Sequence, residues 1–415
     1  MVADPAVPAR DLLLDPQAAG ARLADRSGGE PIEGCERLRV KYRVGESLRV
    51  LYGVTVRGRR VPVSVRTFRG GRSAAAYRSA LETALPADPL PAVAHDEAIE
   101  AVFWTFPNDR RIRDLGLLDD SAALGALLGR PRADARLVAY VPECSATARC
   151  LDEQGRVLAY AKVYAGDGAE RARRLREALP DSLSTGPGEV RLARLLGGST
   201  NRRTLLFEPL DGPPPLDPRA GPPERSLRRI GAALAALHRL PVPAAAPRFE
   251  RVDSDRLHTA ASVIASLRPE LADTSERLAV RLDAQRPRTS RTAGVVCLHG
   301  NPHLRNTLVR PDGVALVDLD DVCRGPRAAD LARVLAALAN LGALGELPAR
   351  RELSLGQELL AGYGGEATVP DAESLEWHVA AALLVRHAAK SLSRFRPRAL
   401  ARIEAVLARA EELIA

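Results

Sequence analysis

A repeated pattern in the first half of the chain constrains the fold most, because a repeat implies that one structural unit is built twice. The segment LRVKYRVGESLRVLY (38–52) resembles RLVAYVPECSATARC (136–150), and Tyr42 matches Tyr140. Each segment is followed by a strand-like stretch, a polar helical stretch and an apolar stretch that ends near a proline. We therefore expect a small unit of strands and one helix to occur twice, joined by a capped helix within 119–134.

The character of the chain changes after Pro209, where a proline- and glycine-rich connector (211–224) precedes a half with helical periodicity. Helices are predicted over 226–240, 330–342 and 374–395. The predicted domains are residues 1–133, which form the first unit, residues 134–212, which form the second, and residues 213–415, which form a mostly helical domain. Their order predicts an α+β protein.

Composition excludes several classes of protein. The net charge is +8, but 57 of the 60 basic residues are arginines interleaved with acidic residues, and aromatic residues make up only 4%. This pattern argues against a nucleic-acid partner. The sequence has no run of 18 apolar residues, so no membrane span is predicted. The N-terminal sequence lacks the features of a signal peptide. Five cysteines without metal-type spacing favour reduced thiols and a cytoplasmic location. The oligomeric state is left open.

The stretch VVCLHGNPHLRNTLVRPDGVALVDLDD (295–321) predicts a magnesium site. A short apolar strand runs into a loop, and a hairpin follows whose turn has proline, aspartate and glycine at the positions that favour it. A turn centred near Asp312 places Asn306 and Asp318 opposite each other at the open end of the hairpin. One amide oxygen and one carboxylate suit Mg²⁺, which usually completes its shell with phosphates and water. Asp320 is a possible second carboxylate.

This stretch resembles the catalytic loop of the aminoglycoside phosphotransferase family, His-Gly-Asp-x-His-x-x-Asn, which is followed by a metal-binding aspartate on the next strand. The segment RGPRAADLA (324–332) resembles the family's next motif, in which Asp330 would brace the loop. The resemblance implies a bilobal protein-kinase-like fold with a small β-rich lobe and a mostly helical C-terminal lobe. The doubled N-terminal unit resembles the maltokinase-type arrangement, in which an extra cap subdomain precedes the small lobe.

The resemblance also implies that the cofactors are ATP and Mg²⁺, and it assigns roles to individual residues. Lys162 would contact the phosphates, and a lysine on an apolar strand of an arginine-rich chain supports this role because its compact ammonium suits phosphate oxygens. Arg66 stands at the matching position of the first unit, which therefore favours a cap over a second active site. The implied site residues are Asn301, His303 and Asp320 for catalysis, Asn306 and Asp318 for the metal, and Lys162, Glu177 (or Glu170), Glu208 and Leu210 for the nucleotide.

Asn301 departs from the family pattern, because it replaces the aspartate that accepts or orients the hydroxyl proton. A general base contributes about 10²–10⁴-fold, or about 3–5 kcal/mol. One hypothesis is a phosphotransferase, slowed by the loss of this base, that acts on a hydroxyl of a small molecule such as a sugar, an aminoglycoside-like compound or a natural-product intermediate. Glu373 and Glu376 would then lie near this substrate. The alternative is a silent pseudokinase that regulates or scaffolds.

Overall fold

The computed structural model describes residues 3–250, 252–287 and 294–415. Its contacts define two compact units. The first comprises Met1–Glu170 and Leu196–Pro209, and the second comprises Arg171–Leu195 and Leu210–Ala415. The three-part division expected from the sequence stays a prediction.

The first unit begins with two helices and a five-stranded antiparallel sheet. Its elements are α1 Arg10–Leu14, α2 Pro16–Ala24, β1 Gly34–Arg43, β2 Ser47–Val56, β3 Arg59–Thr67, α3 Arg72–Leu81, β4 Val93–Asp96 and β5 Ala101–Thr105. Helix α2 starts where Asp15 caps the amide of Gln17 and Pro16 occupies the first helical position. The strand order is β1-β2-β3-β5-β4.

A second five-stranded sheet has the same order of strands, β6-β7-β8-β12-β11. The elements of this part are α4 Ser121–Leu127, β6 Asp134–Val141, β7 Ser145–Leu151, β8 Val157–Tyr164, α5 Gly168–Glu177, β9 Ser182–Thr185, β10 Gly188–Leu192, β11 Leu195–Ser199 and β12 Thr204–Phe207. In both sheets the first strand carries a register irregularity, between Arg37 and Arg39 and between Leu137 and Ala139. The repeated sequence therefore corresponds to a repeated topology. The linking helix α4 lies within the segment expected to form it, and the side chain of Asp120 caps its start.

The rest of the second unit is mainly helical, as predicted. Its elements are α6 Pro223–His238, α7 Ser254–Leu267, α8 Ala272–Ala284, β13 Val295–Leu298, β14 Thr307–Arg310, β15 Gly313–Leu316, β16 Cys323–Pro326, α9 Ala328–Ala343, α10 Ala349–Gly364, α11 Ala372–Ala382, α12 Lys390–Leu392, α13 Pro397–Ala401 and α14 Ile403–Glu412. The single helix expected over 374–395 is interrupted, because a π-helical segment, Leu383–Ala389, separates α11 from α12. Such segments are frequent at functional sites.

Two glycines let α6 and α10 cross at close range in this helical core. A Cβ atom on Gly231 of α6 would lie 2.0 Å from the carbonyl oxygen of Leu359, and one on Gly362 of α10 would lie 1.9 Å from that of Arg228. The apolar face of α6 packs with α9 and α10 in one buried cluster. This contact brings the last residue of α6, His238, against Tyr363.

The described structure is a mixture of sheets and helices, so the α+β class expected from the sequence is confirmed. Among the described residues, no helix combines the length and the apolar character that crossing a membrane would require.

Candidate active site

The loop after β13 is held in place by strand pairing and by one glycine. Strand β13 pairs antiparallel with β16, with Leu298 opposite Cys323. Gly300 has a φ of 77°. A Cβ atom at this position would lie 1.9 Å from the carbonyl oxygen of Asp321. Only glycine therefore allows the loop to come this close to the turn Leu319–Asp321.

A buried carboxylate on α9 braces the same loop, as the resemblance implied. The Asp330 side chain is fully buried, and its two oxygens accept the backbone N–H groups of His299 at 2.7 Å and Gly300 at 3.0 Å. His238 Nε2 lies 3.2 Å from Asp330, and His238 Nδ1 lies 3.0 Å from the Tyr363 hydroxyl. Burial acts to raise the pKa of Asp330, but the bond to His238 and nearby positive charge outweigh it and lower the pKa. The loop is thus fixed by a continuous buried polar network.

The predicted hairpin is formed by β14 and β15, with Thr307 opposite Leu316. The backbone N–H of Val317 donates to the carbonyl of Asn306 at 2.9 Å, so Asn306 and Asp318 bracket the open end of the hairpin. Asn306 Nδ2 donates to the carbonyl of Asn301 at 3.1 Å, which leaves its Oδ1 atom as the group suited to a cation. Asp318 is exposed and adopts a left-handed backbone conformation.

Only a limited number of protein ligands is available for a metal in this region. Within the described ranges, no three histidine, cysteine or acidic side chains are grouped in a way that would hold a metal ion. A divalent ion held by Asn306 and Asp318 would therefore take its other ligands from nucleotide phosphates and water. This is the usual arrangement for Mg²⁺.

The hairpin is anchored by contacts that the sequence did not predict. Strand β15 pairs in parallel with β10, with Glu189 opposite Gly313, and β9 completes a four-stranded sheet. Arg229 of α6 donates to the carbonyls of Arg310 at 2.8 Å and Pro311 at 3.2 Å, at the turn. The hairpin that carries Asn306 and Asp318 at its open end is therefore part of a supported sheet.

Asn301 and His303 line one pocket of the second unit, whereas the predicted Asp320 belongs to the turn Leu319–Asp321 that follows the hairpin. Asn301 Oδ1 accepts weak hydrogen bonds from Arg386 at 3.4 Å and Arg333 at 3.5 Å. The Arg333 guanidinium also donates to the carbonyl of Gly300. The side chain that replaces the family's aspartate therefore lies between two guanidinium groups.

The pocket is strongly basic. Its positively charged members, which we call the cationic cluster, are Arg333, Arg386, Lys390, Arg394 and Arg396. Among the described residues that line it, none is acidic. Burial, aided by the neighbouring arginines, lowers the pKa of Lys390 to about 7 and that of Arg386 to about 10. Burial and nearby positive charges lower the pKa of His387 to about 3, so its imidazole is neutral at pH 7.

The sequence pattern did not indicate this cluster, and the substrate contacts were predicted at Glu373 and Glu376 instead. Glu373 and Glu376 are exposed on α11, and they are not among the described residues that line the pocket. Trp377 beside them is buried and donates its indole N–H to the carbonyl of Leu282 at 2.7 Å, so it is part of the core. One signal was available, because Lys390 is one of only three lysines in the chain.

The residues expected to bind the nucleotide are divided between the two compact units. Lys162 lies on β8, opposite Thr147 and Leu205 in the register, and its ammonium is 5.4 Å from the centre of the Tyr164 ring. Lys162 and Glu208, which follows β12, belong to the first unit, and Leu210 belongs to the second.

The two candidate partners of Lys162 lie at opposite ends of α5. Glu170 is in its first turn, and Glu177 is its last residue. Glu177 forms an ion pair with Arg173 at 2.8 Å, one turn earlier on the same helix. The assignment of either glutamate to Lys162 stays a prediction.

The first sheet holds the loop between β6 and β7 through an ionic cluster. Glu143 in this loop accepts from Arg49 at 2.6 Å, Arg66 at 2.8 Å and Arg110 at 2.9 Å. Its backbone N–H donates to Asp109 at 2.9 Å. Burial acts to raise the pKa of Glu143, but the three guanidinium groups outweigh it and lower the pKa to about 2. Arg66, at the position that matches Lys162, is therefore engaged with a carboxylate of the chain itself.

Comparisons with known proteins found one matching family model and several solved structures that are similar to this chain. The model of a phosphotransferase enzyme family matches residues 161–378. A solved aminoglycoside 2'-phosphotransferase-IIIa in complex with GDP is 13% identical, with 68% of this chain and 92% of that chain covered and a TM-score of 0.45. A choline kinase from Cryptosporidium parvum is 11% identical, with 68% and 90% covered and a TM-score of 0.48. A choline/ethanolamine kinase family protein from Mesorhizobium loti is 16% identical, with 72% and 92% covered and a TM-score of 0.44. A search of curated proteins found no significant match.

Proposed function

Since the chain belongs to the phosphotransferase enzyme family, we propose that it transfers the γ-phosphoryl group of ATP to a hydroxyl group of a small molecule, with Mg²⁺ as cofactor. The resemblance seen in residues 299–306 is confirmed at the level of the family. The nucleotide, the metal and the roles of individual residues are part of the proposal.

The observation that supports it best is the arrangement around the loop of residues 299–306. Asp330 fixes the backbone at the start of the loop, and Asn306 at its end is bonded back to Asn301. The hairpin register brings Asp318 to the same end of the sheet as Asn306. A phosphotransferase needs this combination of a rigid loop for the acceptor and oxygen ligands for a phosphate-bound cation.

In the proposed reaction the acceptor hydroxyl oxygen forms a bond to the γ-phosphorus while the bond from that phosphorus to the β-phosphate oxygen breaks. Bound magnesium would neutralise charge on the phosphates. Asn301 orients the hydroxyl group by accepting its hydrogen bond through Oδ1, and the proton passes to an oxygen of the transferred phosphoryl group. Because the transition state of this transfer is loose, positioning and charge neutralisation contribute more than proton removal.

Asn301 also supports a second candidate function, a pseudokinase that binds nucleotide without transferring phosphate. Its amide cannot take up a proton, and its oxygen is already within 3.5 Å of two guanidinium groups. The buried brace formed by Asp330 would keep the loop ordered in either case. Both functions require nucleotide binding, but only the phosphotransferase transfers a phosphoryl group.

The test is acceptor-dependent formation of ADP by the native chain, Asn301→Asp and Asp318→Ala, with a panel of sugars, sugar acids, sugar phosphates and aminoglycosides. We expect slow turnover by the native chain and at least a hundredfold loss in Asp318→Ala. Turnover by Asn301→Asp alone would identify a silenced relative. Binding of Mg-ATP by both forms with no turnover in either would favour the pseudokinase.

A further inference from the structure

Four members of the cationic cluster are incompletely compensated within the part of the chain that the structure describes. The carboxylates of Asp330 and Asp321 favour the charged form of Arg333, and that of Asp321 favours the charged form of Arg386, but neither forms an ion pair with these arginines. Arg333 and Arg386 donate to uncharged oxygens of Gly300 and Asn301. Across the described ranges, no ion pair is formed by Arg333, Arg386, Lys390 or Arg396. Grouping several partly buried cations is costly unless an anion compensates them. Three of the cluster's five members come from separate parts of the fold: Arg333 from α9, Arg386 from the π-helical segment and Arg396 from the end of the turn after α12.

The position of the cluster distinguishes between the two possible sources of the missing anion. Nucleotide phosphates would be held where Asn306 and Asp318 bracket the hairpin, and neither residue is among the described residues that line the pocket. Asn301, which marks the acceptor hydroxyl, does line it. The charges therefore face the acceptor side of the loop.

We infer that the acceptor is an anion, namely a small hydroxylated compound that carries a phosphate or carboxylate group bound by Arg386, Lys390 and Arg333. The inference rests on the proposed function, because Asn301 marks an acceptor hydroxyl only in a phosphotransferase. Polycationic acceptors such as aminoglycosides are disfavoured, since each positive group would be repelled by the cluster.

An adjoining cavity of about 280 Å³ provides room for the rest of such a molecule. It shares Arg333, Arg386 and Lys390 with the pocket. Its other walls include the apolar side chains of Phe249 and Val385 and the ion pair between Arg256 and Glu250, in which the carboxylate is compensated. The guanidinium of Arg333 lies 5.2 Å from the centre of the Phe249 ring. A cavity that is partly apolar with a few convergent polar groups is typical of small-molecule sites. The acceptor would therefore place its anionic group on the shared cationic wall.

Anion binding can be measured without knowing the natural acceptor. Calorimetric titrations use sulfate as a stand-in for a phosphate monoester and acetate as a stand-in for a carboxylate, with the nucleotide site saturated by Mg-AMP-PNP. The variants are Arg386→Gln and Lys390→Gln, with Arg386→Lys as the charge-preserving form. The matched control is Arg350→Gln, which changes an exposed arginine on α10 of the same unit.

We expect the native chain and Arg350→Gln to bind one of the two anions, and Arg386→Gln to bind it about tenfold more weakly, as for the loss of a charge-assisted hydrogen bond. Arg386→Lys should retain part of the affinity. Preference for sulfate or for acetate identifies the anionic group. Equal anion binding by the native chain and Arg386→Gln, or no anion binding by the native chain, would overturn the inference. If Mg-AMP-PNP does not bind, the proposed function fails and the assignment of the anion to an acceptor fails with it, whereas the same titrations without nucleotide still show whether the cluster binds an anion.

A panel of four sugars that differ in charge extends the test to acceptors. Glucose 6-phosphate, glucuronate, glucose and glucosamine carry similar hydroxyl groups with different charges. We expect at least one of the two anionic sugars to bind more tightly than glucose, and glucosamine to bind most weakly. Tighter binding of glucosamine than of both anionic sugars would contradict an anionic acceptor. Weaker Mg-AMP-PNP binding in Arg386→Gln with unchanged sulfate binding would assign the cluster to the nucleotide.

Discussion

Replacing Glu143 by glutamine should destabilise the first compact unit by an amount that follows from its surroundings. The Glu143 side chain is only 4% exposed and accepts from Arg49, Arg66 and Arg110. Glutamine would keep the shape of the side chain but remove the negative charge to which all three guanidinium groups donate. A lowering of the Glu143 pKa from 4.5 to about 2 corresponds to about 3 kcal/mol, at 1.36 kcal/mol per pK unit.

The assay is thermal and urea unfolding of the native chain and Glu143→Gln. For a unit of this size, about 3 kcal/mol should lower the melting temperature of its transition by about 6–12 °C. The control is Glu153→Gln, at an exposed position in the turn between β7 and β8 of the same sheet. We expect the free energy of unfolding of this control to lie within about 0.5 kcal/mol of that of the native chain.

The pH dependence provides an independent check on the same reasoning. Because folding lowers the pKa of Glu143, its stabilisation is fully present above the unfolded value of 4.5 and is lost as pH falls through about 2. The difference in unfolding free energy between the native chain and Glu143→Gln should therefore be constant above pH 5 and shrink below it. A difference under 1 kcal/mol at pH 7, or one that stays constant down to pH 2, would refute the reasoning.

Three further predictions concern the second unit. Burial lowers the pKa of Lys390 to about 7, so sulfate binding should weaken as pH rises from 6 to 8, and titration of Lys390→Gln should not show this dependence. Gly300→Ala would place a methyl group 1.9 Å from the carbonyl oxygen of Asp321, so acceptor-dependent turnover should fall by about a hundredfold, whereas unchanged turnover would show that the loop adapts. Asp330→Asn would turn an NH₂ group toward one of the two N–H groups that the carboxylate accepts, so urea unfolding should show a loss of about 3 kcal/mol, and a loss below 1 kcal/mol would count against the buried brace.

The parts of the structure that could be predicted from the sequence are those specified by neighbouring residues. The turn between β14 and β15 could be predicted from Pro311, Asp312 and Gly313, whose backbone preferences act locally. The duplicated sheet could be recognised because the same succession of strand, loop, strand and helix occurs twice in order. The brace on Asp330, which lies 31 residues from His299, was expected from the resemblance to a family motif and not from neighbouring residues.

The features that were missed depend on residues far apart in the sequence. The parallel pairing of β10 with β15 joins a five-residue strand to a four-residue strand, and neither carries a periodic signal strong enough to indicate its partner. The π-helical segment differs from an α-helix by one residue in its spacing, which an apolar pattern does not resolve. The cationic cluster was hidden because 57 arginines make any local group of basic residues unremarkable. Lys390 is an exception of the same kind as Lys162, because both are rare lysines in an arginine-rich chain.

The most direct test of the central claim measures the divalent ion itself. The claim is that Asn306 and Asp318, at the open end of the hairpin, hold the ion that carries the nucleotide phosphates. Binding of Mn²⁺, followed by electron paramagnetic resonance in the presence of AMP-PNP, should be at least about tenfold weaker in Asp318→Ala than in the native chain, because a carboxylate ligand is lost. Asp312→Ala, at the turn end of the same hairpin, should bind the ion like the native chain. Equal Mn²⁺ binding by the native chain and Asp318→Ala would contradict the account.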